Sequence, residues 1–332
     1  MHEIDLKKYN IRSDLIIENN ANDYIDDTYT KNNIKVDYIK LLESNPLNKK
    51  KGDYITITFQ DVTDSTNFKN VLEIFKDELK RIFKLTKIKK DATCLIIGLG
   101  NKNSTPDALG YETLKNITVT RHLYKIGEVD LKYKNISILE PNVFGNTGIE
   151  SKEIIEGVIE KVKPDLLIII DSLAASSVDR LQKTIQITNT GIEPGSGIGN
   201  KRSELSKDNL NIPVIAIGVP TVITSSSIVF DTINFLLKKI SYHKHDYKKD
   251  KLIPNYNLNY LTEKNKLTKE EKQNLLGLLG SLDDQELKEL FNEVLSPIGY
   301  NLIVTTKEID FIIEKLGKLL ATGLNNCLHN EI

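Results

Sequence analysis

The sequence predicts an α/β fold: a mostly parallel sheet with helices on both faces, followed by a C-terminal helical appendage. Three observations carry this. Apolar, β-branched runs at 94–98, 166–170 and 212–218 have the length and composition of strands covered on both sides. Segments such as 67–85 place Val71, Leu72, Phe75, Leu79, Ile82 and Phe83 at helical spacing, with one apolar face. Polar loops rich in glycine and asparagine separate the two kinds of segment, and this repeated alternation is the pattern of stacked strand–helix units.

The remaining elements follow from the same rules. Residues 1 to about 50 are polar apart from Leu15, Ile16 and Ile17, so they are expected to form an arm or extension rather than the start of a core. The run 54–59 alternates with period two and reads as a strand, and 61–66 supplies turn and cap residues. After the strand at 94–98 comes Gly98-Leu-Gly100, too short for a dinucleotide fingerprint, then a turn in which Pro106 suits a first helical position and Thr105 its cap. Strand 136–139 leads through Pro141-Asn-Val-Phe-Gly-Asn-Thr-Gly148 to a crossover helix at 149–163. The central strand 166–170 is expected to end on Asp171. Strand 184–188 precedes a loop with Gly191, Gly195, Gly197 and Gly199, whose backbone N–H groups are free to approach a ligand. A helix at 228–240, a charged connector at 241–267 and three helices at 268–279, 283–295 and 307–324 complete the chain. The domain expectation is an arm (1–14), an α/β catalytic domain (15–240), a linker (241–267) and a helical appendage (268–332).

Bulk properties exclude several classes of function. With 39% hydrophobic and 27% charged residues in 332, the chain is an ordinary globular protein. Its 45 basic and 46 acidic residues leave a net charge of −1, so there is no global electrostatic case for a nucleic-acid or membrane partner. Cys94 and Cys327 lack metal-ligand spacing and read as buried thiols in a reducing compartment. His243 and His245 beside Asp246 read as part of the solvated connector, not as a metal site. No signal-peptide core and no 18-residue apolar run is present, so a cytoplasmic protein is expected.

Few side chains are placed for chemistry. Ser172, Ser176 and Ser177 lack a nucleophile elbow, and His122 reads more readily as a structural histidine than as a catalytic base. Two acids remain, Asp107 and Asp171, each just past a predicted buried strand. Neighbouring strands lie about 4.8 Å apart, so two such carboxylates can face one site at the carboxyl edge of the sheet. Close carboxylates resist double ionisation, which leaves one as a base for water and the other, protonated, to polarise a carbonyl. Spacing alone favours the plainer reading, that one or both acids simply cap helices at strand–helix turns.

At these residues the sequence resembles the spore germination protease family, endopeptidases that degrade small acid-soluble spore proteins. The resemblance runs through GLGNKNSTPDALG (98–110), TVTRHL (118–123), PNVFGNTGIES (141–151), the long block 164–202, IPVIAIGVPTV (212–222), PIGYNLIVTTKEID (297–310) and GLNNCLH (323–329), and the opening IDLKKYNIRSDL is similar to the family's N-terminus. It implies a homotetrameric peptidase of the spore core, atypically aspartic, with no cofactor or metal and with Asp107 and Asp171 as its acids. It further implies a zymogen that cuts itself at about Asp14–Leu15. Within the matching blocks, Asn101, Thr105, Arg121, His122, Thr147, Glu150, Gly195 and Ser196 are expected to shape the site or meet substrate. The chain departs from the family where Ser176 stands for an arginine, and where Val222-Ile223-Thr224-Ser225 lacks an acid. Two other readings stay open: a cation-binding α/β protein akin to hydrogenase-maturation peptidases, with the same acids as ligands, and an inactive paralogue.

Overall fold

The computed structural model describes residues 14–18, 24–43, 49–89, 91–127, 129–130, 132–195, 203–246, 266–296 and 302–329. In chain order the strands are β1 (Ile25–Lys31), β2 (Ile34–Leu41), β3 (Gly52–Thr58), β4 (Cys94–Gly98), β5 (Ile136–Leu139), β6 (Leu166–Ala175), β7 (Thr184–Thr188), β8 (Val214–Thr224) and β9 (Ile303–Val304). The helices are α1 (Ser65–Leu85), α2 (Leu109–Leu114), α3 (Arg121–Ile126), α4 (Phe144–Thr147), α5 (Ser151–Val162), α6 (Lys207–Leu210), α7 (Ser225–Asp246), α8 (Lys269–Leu276), α9 (Asp284–Leu295) and α10 (Ile309–Leu328). The described residues fall into two compact units. The larger holds those of Arg12–Ala175, Asp179–Val222 and Thr305–Ile332, and the smaller holds Ser176–Val178 and Ile223–Val304.

In the larger unit the strands run in the order β1-β2-β3-β7-β8-β6-β4-β5. The α/β class holds, but the sheet is mixed. β6, β4 and β5 are parallel, whereas the junctions from β1 through β2, β3 and β7 to β8 are antiparallel. The parallel register runs from Cys94↔Leu166 to Gly98↔Ile170. Its starting end is locked by Asp165, whose Oδ2 accepts the Thr93 N–H at 2.8 Å and the Thr93 hydroxyl at 2.7 Å. Those bonds hold the Asp165 carboxyl below its ordinary range.

Two apolar layers cover this sheet. On one face the even-numbered residues Leu166, Ile168 and Ile170 pack with α1, α2 and α10; on the other, Leu167 and Ile169 pack with Ile155 of α5 and Leu210 of α6. Strand alternation makes the two sets. α1 starts where Asp64 accepts the N–H groups of Thr66 and Asn67. α10 presses directly onto α2: a Cβ at Gly317 would lie 2.7 Å from the Glu112 backbone. The C-terminal helix therefore belongs to the α/β unit, and the expected appendage is split. Its final helix carries Leu316, Leu319, Leu320 and Leu324 into the main core.

The described residues among the first 50 also differ from expectation. Leu15 and Ile16 are wholly buried, and with Ile17 they join Ile39, Leu41, Tyr54 and Leu173 in a third apolar cluster. β1 and β2 form a hairpin turned by Asn32 and Asn33, both at positive φ, the geometry of a tight two-residue turn. The hairpin is fastened to α1 by the Tyr29 hydroxyl, which donates to Glu78 at 2.8 Å, and by the Arg81 guanidinium, 4.2 Å above the Tyr38 ring.

In the smaller unit, Ile223 and Thr224 at the end of β8 pair antiparallel with β9, and α7 packs against α9. α8 and α9 each start with a capping box, at Thr268 and Asp283. α7 continues through Asp246, so the connector expected from 241 begins as helix; 247–265 lie outside the described residues. Among the described residues no helix is long and apolar enough to cross a membrane. Cys94 is buried and its thiol is pushed up to about 12 by that burial, while Cys327 is only partly buried.

His329 closes α10. Its Nδ1 accepts the Lys134 N–H at 3.3 Å and its Nε2 lies 3.2 Å from the Thr118 carbonyl, to which it donates. Burial lowers its pKa below the usual 6.5, so at mildly acidic pH the unfolded chain binds this proton more readily than the folded one. The stabilising contribution is full above about 6.5 and is lost as pH falls through the lowered value. Thermal denaturation followed from pH 7 to 5 is expected to show a smaller loss of stability in His329→Gln than in the parent; equal slopes would contradict the assignment.

Candidate active site

The carboxyl edge of β4, β5 and β6 gathers the chemically useful side chains of the larger unit. β4 stops at Gly98. The Leu99 N–H still reaches the Ile170 carbonyl at 2.9 Å, so the outgoing chain leaves beside Ile170 and Asp171. It then turns through Gly100, at φ +102°, where a Cβ would lie 2.0 Å from the Asp107 carbonyl oxygen and 2.9 Å from its Oδ1. Only glycine allows that approach. A single 3-10 turn, Thr105–Asp107, brings the chain back, and the Asn101 N–H donates to the Asp107 carbonyl at 3.0 Å. Ser104, not Thr105, occupies the cap position, and its side chain makes no cap bond. Asp107 is thereby placed, partly exposed, at the end of β4.

Asp171 is not at the end of its strand. β6 continues four residues to Ala175, because Leu173, Ala174 and Ala175 remain buried and Ala174 has a pairing partner of its own, Asp14. Asp171 is instead the first β6 residue past the pairing with β4. Its Oδ1 accepts the Ser172 N–H at 2.9 Å, and it is 6% exposed. The adjacent Ser172 hydroxyl is buried with no hydrogen-bond partner among the described residues. By alternation, Asp171 shares a face with Ile169 and Leu173.

The loop leaving β5 reaches the same edge. Asn146 Nδ2 donates to Asn142 Oδ1 at 2.8 Å and, more weakly, to Asn101 Oδ1 at 3.4 Å. Both acceptors are fixed as oxygens, since Asn101 Oδ1 also takes the Asn103 N–H and Asn142 Oδ1 the Val143 N–H. The Asn101 amide nitrogen has no partner among the described residues and remains a donor at this edge. Asn142 and Asn146 were not anticipated; the signal was their i, i+4 spacing in a glycine-containing loop leaving a strand. Thr147 and Glu150 lie on this loop too, Thr147 bonded to Ile149 and Glu150 at the start of α5.

Arg121 and His122 are elsewhere. α3 begins at Thr120, whose N–H bonds the carbonyl of Ile136, the first residue of β5. They therefore sit at the opposite, amino edge of the sheet, where Arg121 donates to the Val162 carbonyl at the end of α5 and His122 is exposed. A short cation–imidazole motif carries no information about which edge its helix meets. Gly195 follows the Gly191 turn at φ +74°, and Ser196 lies outside the described residues. Ser176 is buried in the smaller unit, and the turn it opens is held there by Asp231, which accepts the Val178 N–H at 2.7 Å. Among the described residues no three His, Cys, Asp or Glu side chains cluster as a metal-ligand set.

The chain's own residues 14–18 approach this edge. Asp14 pairs with Ala174, its N–H on the Ala174 carbonyl at 3.4 Å and its Oδ2 accepting the Ala174 N–H at 2.9 Å. Gln186 of β7 then spans the next peptide: Nε2 donates to the Asp14 carbonyl at 3.2 Å and Oε1 accepts the Ile16 N–H at 2.7 Å.

A mixed sheet with acids and amides collected at the carboxyl ends of its parallel strands has the layout of an α/β enzyme. The model of the germination protease family matches residues 5–332, and the chain belongs to that family. The germination protease of Bacillus velezensis is 41% identical over an alignment that covers 100% of this chain and 96% of the relative. Those of Bacillus subtilis strain 168 and Priestia megaterium are each 40% identical, over 99% of this chain and 96% of theirs. The protein is thus a peptidase.

Gln186 is 8% exposed, so removing its amide strands buried groups. Gln186→Leu is expected to lower stability by about 1–3 kcal/mol in urea denaturation and to speed hydrogen exchange at the Ile16 amide. Unchanged exchange at Ile16 would show that the clasp does not hold.

Proposed function

We propose that this protein is an endopeptidase that degrades small acid-soluble spore proteins during germination in the spore core, with Asp107 and Asp171 activating water. The observation that carries the reading is the arrival of both acids at one edge: Asp171 directly past the last β4–β6 pair, and Asp107 folded back onto Asn101 where β4 ends. In the proposed step one carboxylate takes a proton from water as the water oxygen adds to the peptide carbonyl carbon. The other, protonated, donates to the carbonyl oxygen, and collapse breaks the C–N bond as the amine takes up a proton. Asn101 is suited to assist with its amide N–H. Thr105, Thr147, Glu150, Gly195 and Ser196 remain as residues proposed to shape the site, while Arg121 and His122 are dropped from it.

The zymogen reading is part of the proposal. Asp14–Leu15 is the bond proposed for self-cleavage, and Asp14 docks three residues along β6 from Asp171, roughly 10 Å at strand spacing. Leu15 and Ile16 are wholly buried, so the segment must be released before any site can cut it. A homotetramer is proposed as the assembly, and the exposed Leu275, Leu278 and Val294 of the smaller unit are candidates for its interfaces.

Asp107→Asn and Asp171→Asn are each expected to cut peptide cleavage by on the order of 10³-fold while leaving circular dichroism and melting intact. The parent should keep its activity in a chelator; loss there, restored by added metal, would favour the cation-binding reading. Incubation of the purified chain at mildly acidic pH should yield a new N-terminus at Leu15, and a chain that never shortens at any pH points to an inactive paralogue. Removing residues 1–14 should raise turnover of an added substrate by on the order of tenfold; equal rates for the truncated and full-length proteins would rule out inhibition by the arm.

A further inference from the structure

We propose that Asn142 is a further catalytic residue, a second carboxamide donor to the peptide carbonyl oxygen beside Asn101, and that Asn146 is the positioning residue that aims both. The inference rests on the hydrolytic reading of Asp107 and Asp171. A single nitrogen, Asn146 Nδ2, donates to Oδ1 of Asn142 at 2.8 Å and to Oδ1 of Asn101 at 3.4 Å. Each oxygen is fixed a second time by a main-chain N–H, that of Val143 for Asn142 at 2.9 Å and that of Asn103 for Asn101 at 3.0 Å. A carboxamide whose oxygen is held in this way has its NH2 group turned to the other side. Both NH2 groups therefore point away from Asn146, and neither has a partner among the described residues.

The backbones of the two donors are anchored as well. The Asn101 N–H donates to the Asp107 carbonyl and the Asn101 carbonyl accepts the Ser104 N–H, each at 3.0 Å. The Asn142 carbonyl accepts the hydroxyl of buried Ser151 at 2.9 Å, and Asn142 sits at φ +63°, a conformation that asparagine tolerates better than most residues. A backbone role alone would be met as well by glycine, which separates it from a role for the carboxamide. In the step proposed above, negative charge grows on the carbonyl oxygen as water adds. The oxygen of the tetrahedral adduct has three lone pairs, enough for the protonated carboxyl and two N–H donors. Neutral donors set in place beforehand act without changing protonation state and favour the adduct over the planar peptide.

The test uses full-length protein, a peptide of this chain's residues 8–21 (KYNIRSDLIIENNA), and a copy of that peptide in which a phosphinate replaces the Asp14–Leu15 bond as a tetrahedral, anionic mimic. Affinities for both are read by calorimetry, and cleavage of the plain peptide separately. Asn142→Gly keeps the backbone and removes the amide, whereas Asn142→Asp keeps the accepting oxygen and removes the donor. Each is expected to lose about 100-fold in kcat and in phosphinate affinity, with KM and affinity for the plain peptide within about twofold. Asn146→Asp, which turns oxygens toward both Oδ1 atoms, should lose about tenfold in the same two quantities, and Asn146→Gln, which still donates, should recover most of that loss. An equal loss for the two peptides, unchanged phosphinate affinity in the Asn142 variants, or a parent without preference for the phosphinate overturns the proposal. A preference that falls in the variants while the parent cuts nothing would retain the amides and reject the hydrolytic reading, whereas cleavage that Asn142→Gly leaves intact would do the reverse.

Discussion

The parallel register of β4 and β6 is the constraint on which the site depends. Five consecutive residues pair, from Cys94↔Leu166 to Gly98↔Ile170, and the Asp165–Thr93 bonds at the opposite end fix where that count begins. A slip of one residue would exchange the even and odd sets of β6 between the two cores. It would also carry Asp171 to the face now filled by α1, α2 and α10. The position of one acid is thus set by apolar packing along its whole strand. The other depends on backbone more than on side chains, because Gly100 admits the Asp107 turn against the end of β4 and the Asn101 N–H ties it down.

Residues 14–18 serve two ends at once. Leu15, Ile16 and Ile17 complete an apolar cluster over β2, β3 and β6, which stabilises the fold, while Asp14 lies on β6 near Asp171. If the Asp14–Leu15 bond is cut as proposed, these roles pull against each other. A segment buried deeply enough to close a core cannot be an easily cut junction, and one loose enough to be cut contributes little burial. Gln186 sits at the balance point, since its two hydrogen bonds, to the Asp14 carbonyl and the Ile16 N–H, flank Leu15 and add to the cost of opening the segment.

Much of the α/β unit was legible because its strands are pure in pattern. β5 and β7 match the predicted runs residue for residue, and α1 differs by two residues at its start. The misses have physical causes. Ala174 and Ala175 extend β6 because neighbours bury and pair them, not because alanine favours strands. The β1–β2 hairpin was overlooked, although Asn32-Asn33 between Lys31 and Ile34 is a turn signal. The surrounding polar composition hid it, and the burial of Leu15 and Ile16 depends on tertiary contacts that no local pattern encodes. At the site, Asp107 was legible as an acid just past its strand, and Asp171 as the acid that ends the apolar run 166–170 although it lies inside β6, whereas Asn142 and Asn146 become meaningful only when the β5 loop is seen beside Asn101.

Placing a carboxylate inside a strand rather than on the loop after it has a mechanistic consequence. A loop acid moves with its loop, whereas Asp171 is held by β6 on both sides in sequence, with Ile170 bonded to the chain leaving β4 and Ala174 bonded to Asp14. Under the proposed reaction, such an acid is largely desolvated before substrate arrives, which favours interactions that strengthen as charge develops in the transition state. Asp107 is its complement, partly exposed on a single turn. One buried and one partly exposed carboxylate at the same sheet edge give two environments for the same functional group, the difference that the proposed division of acid and base roles requires.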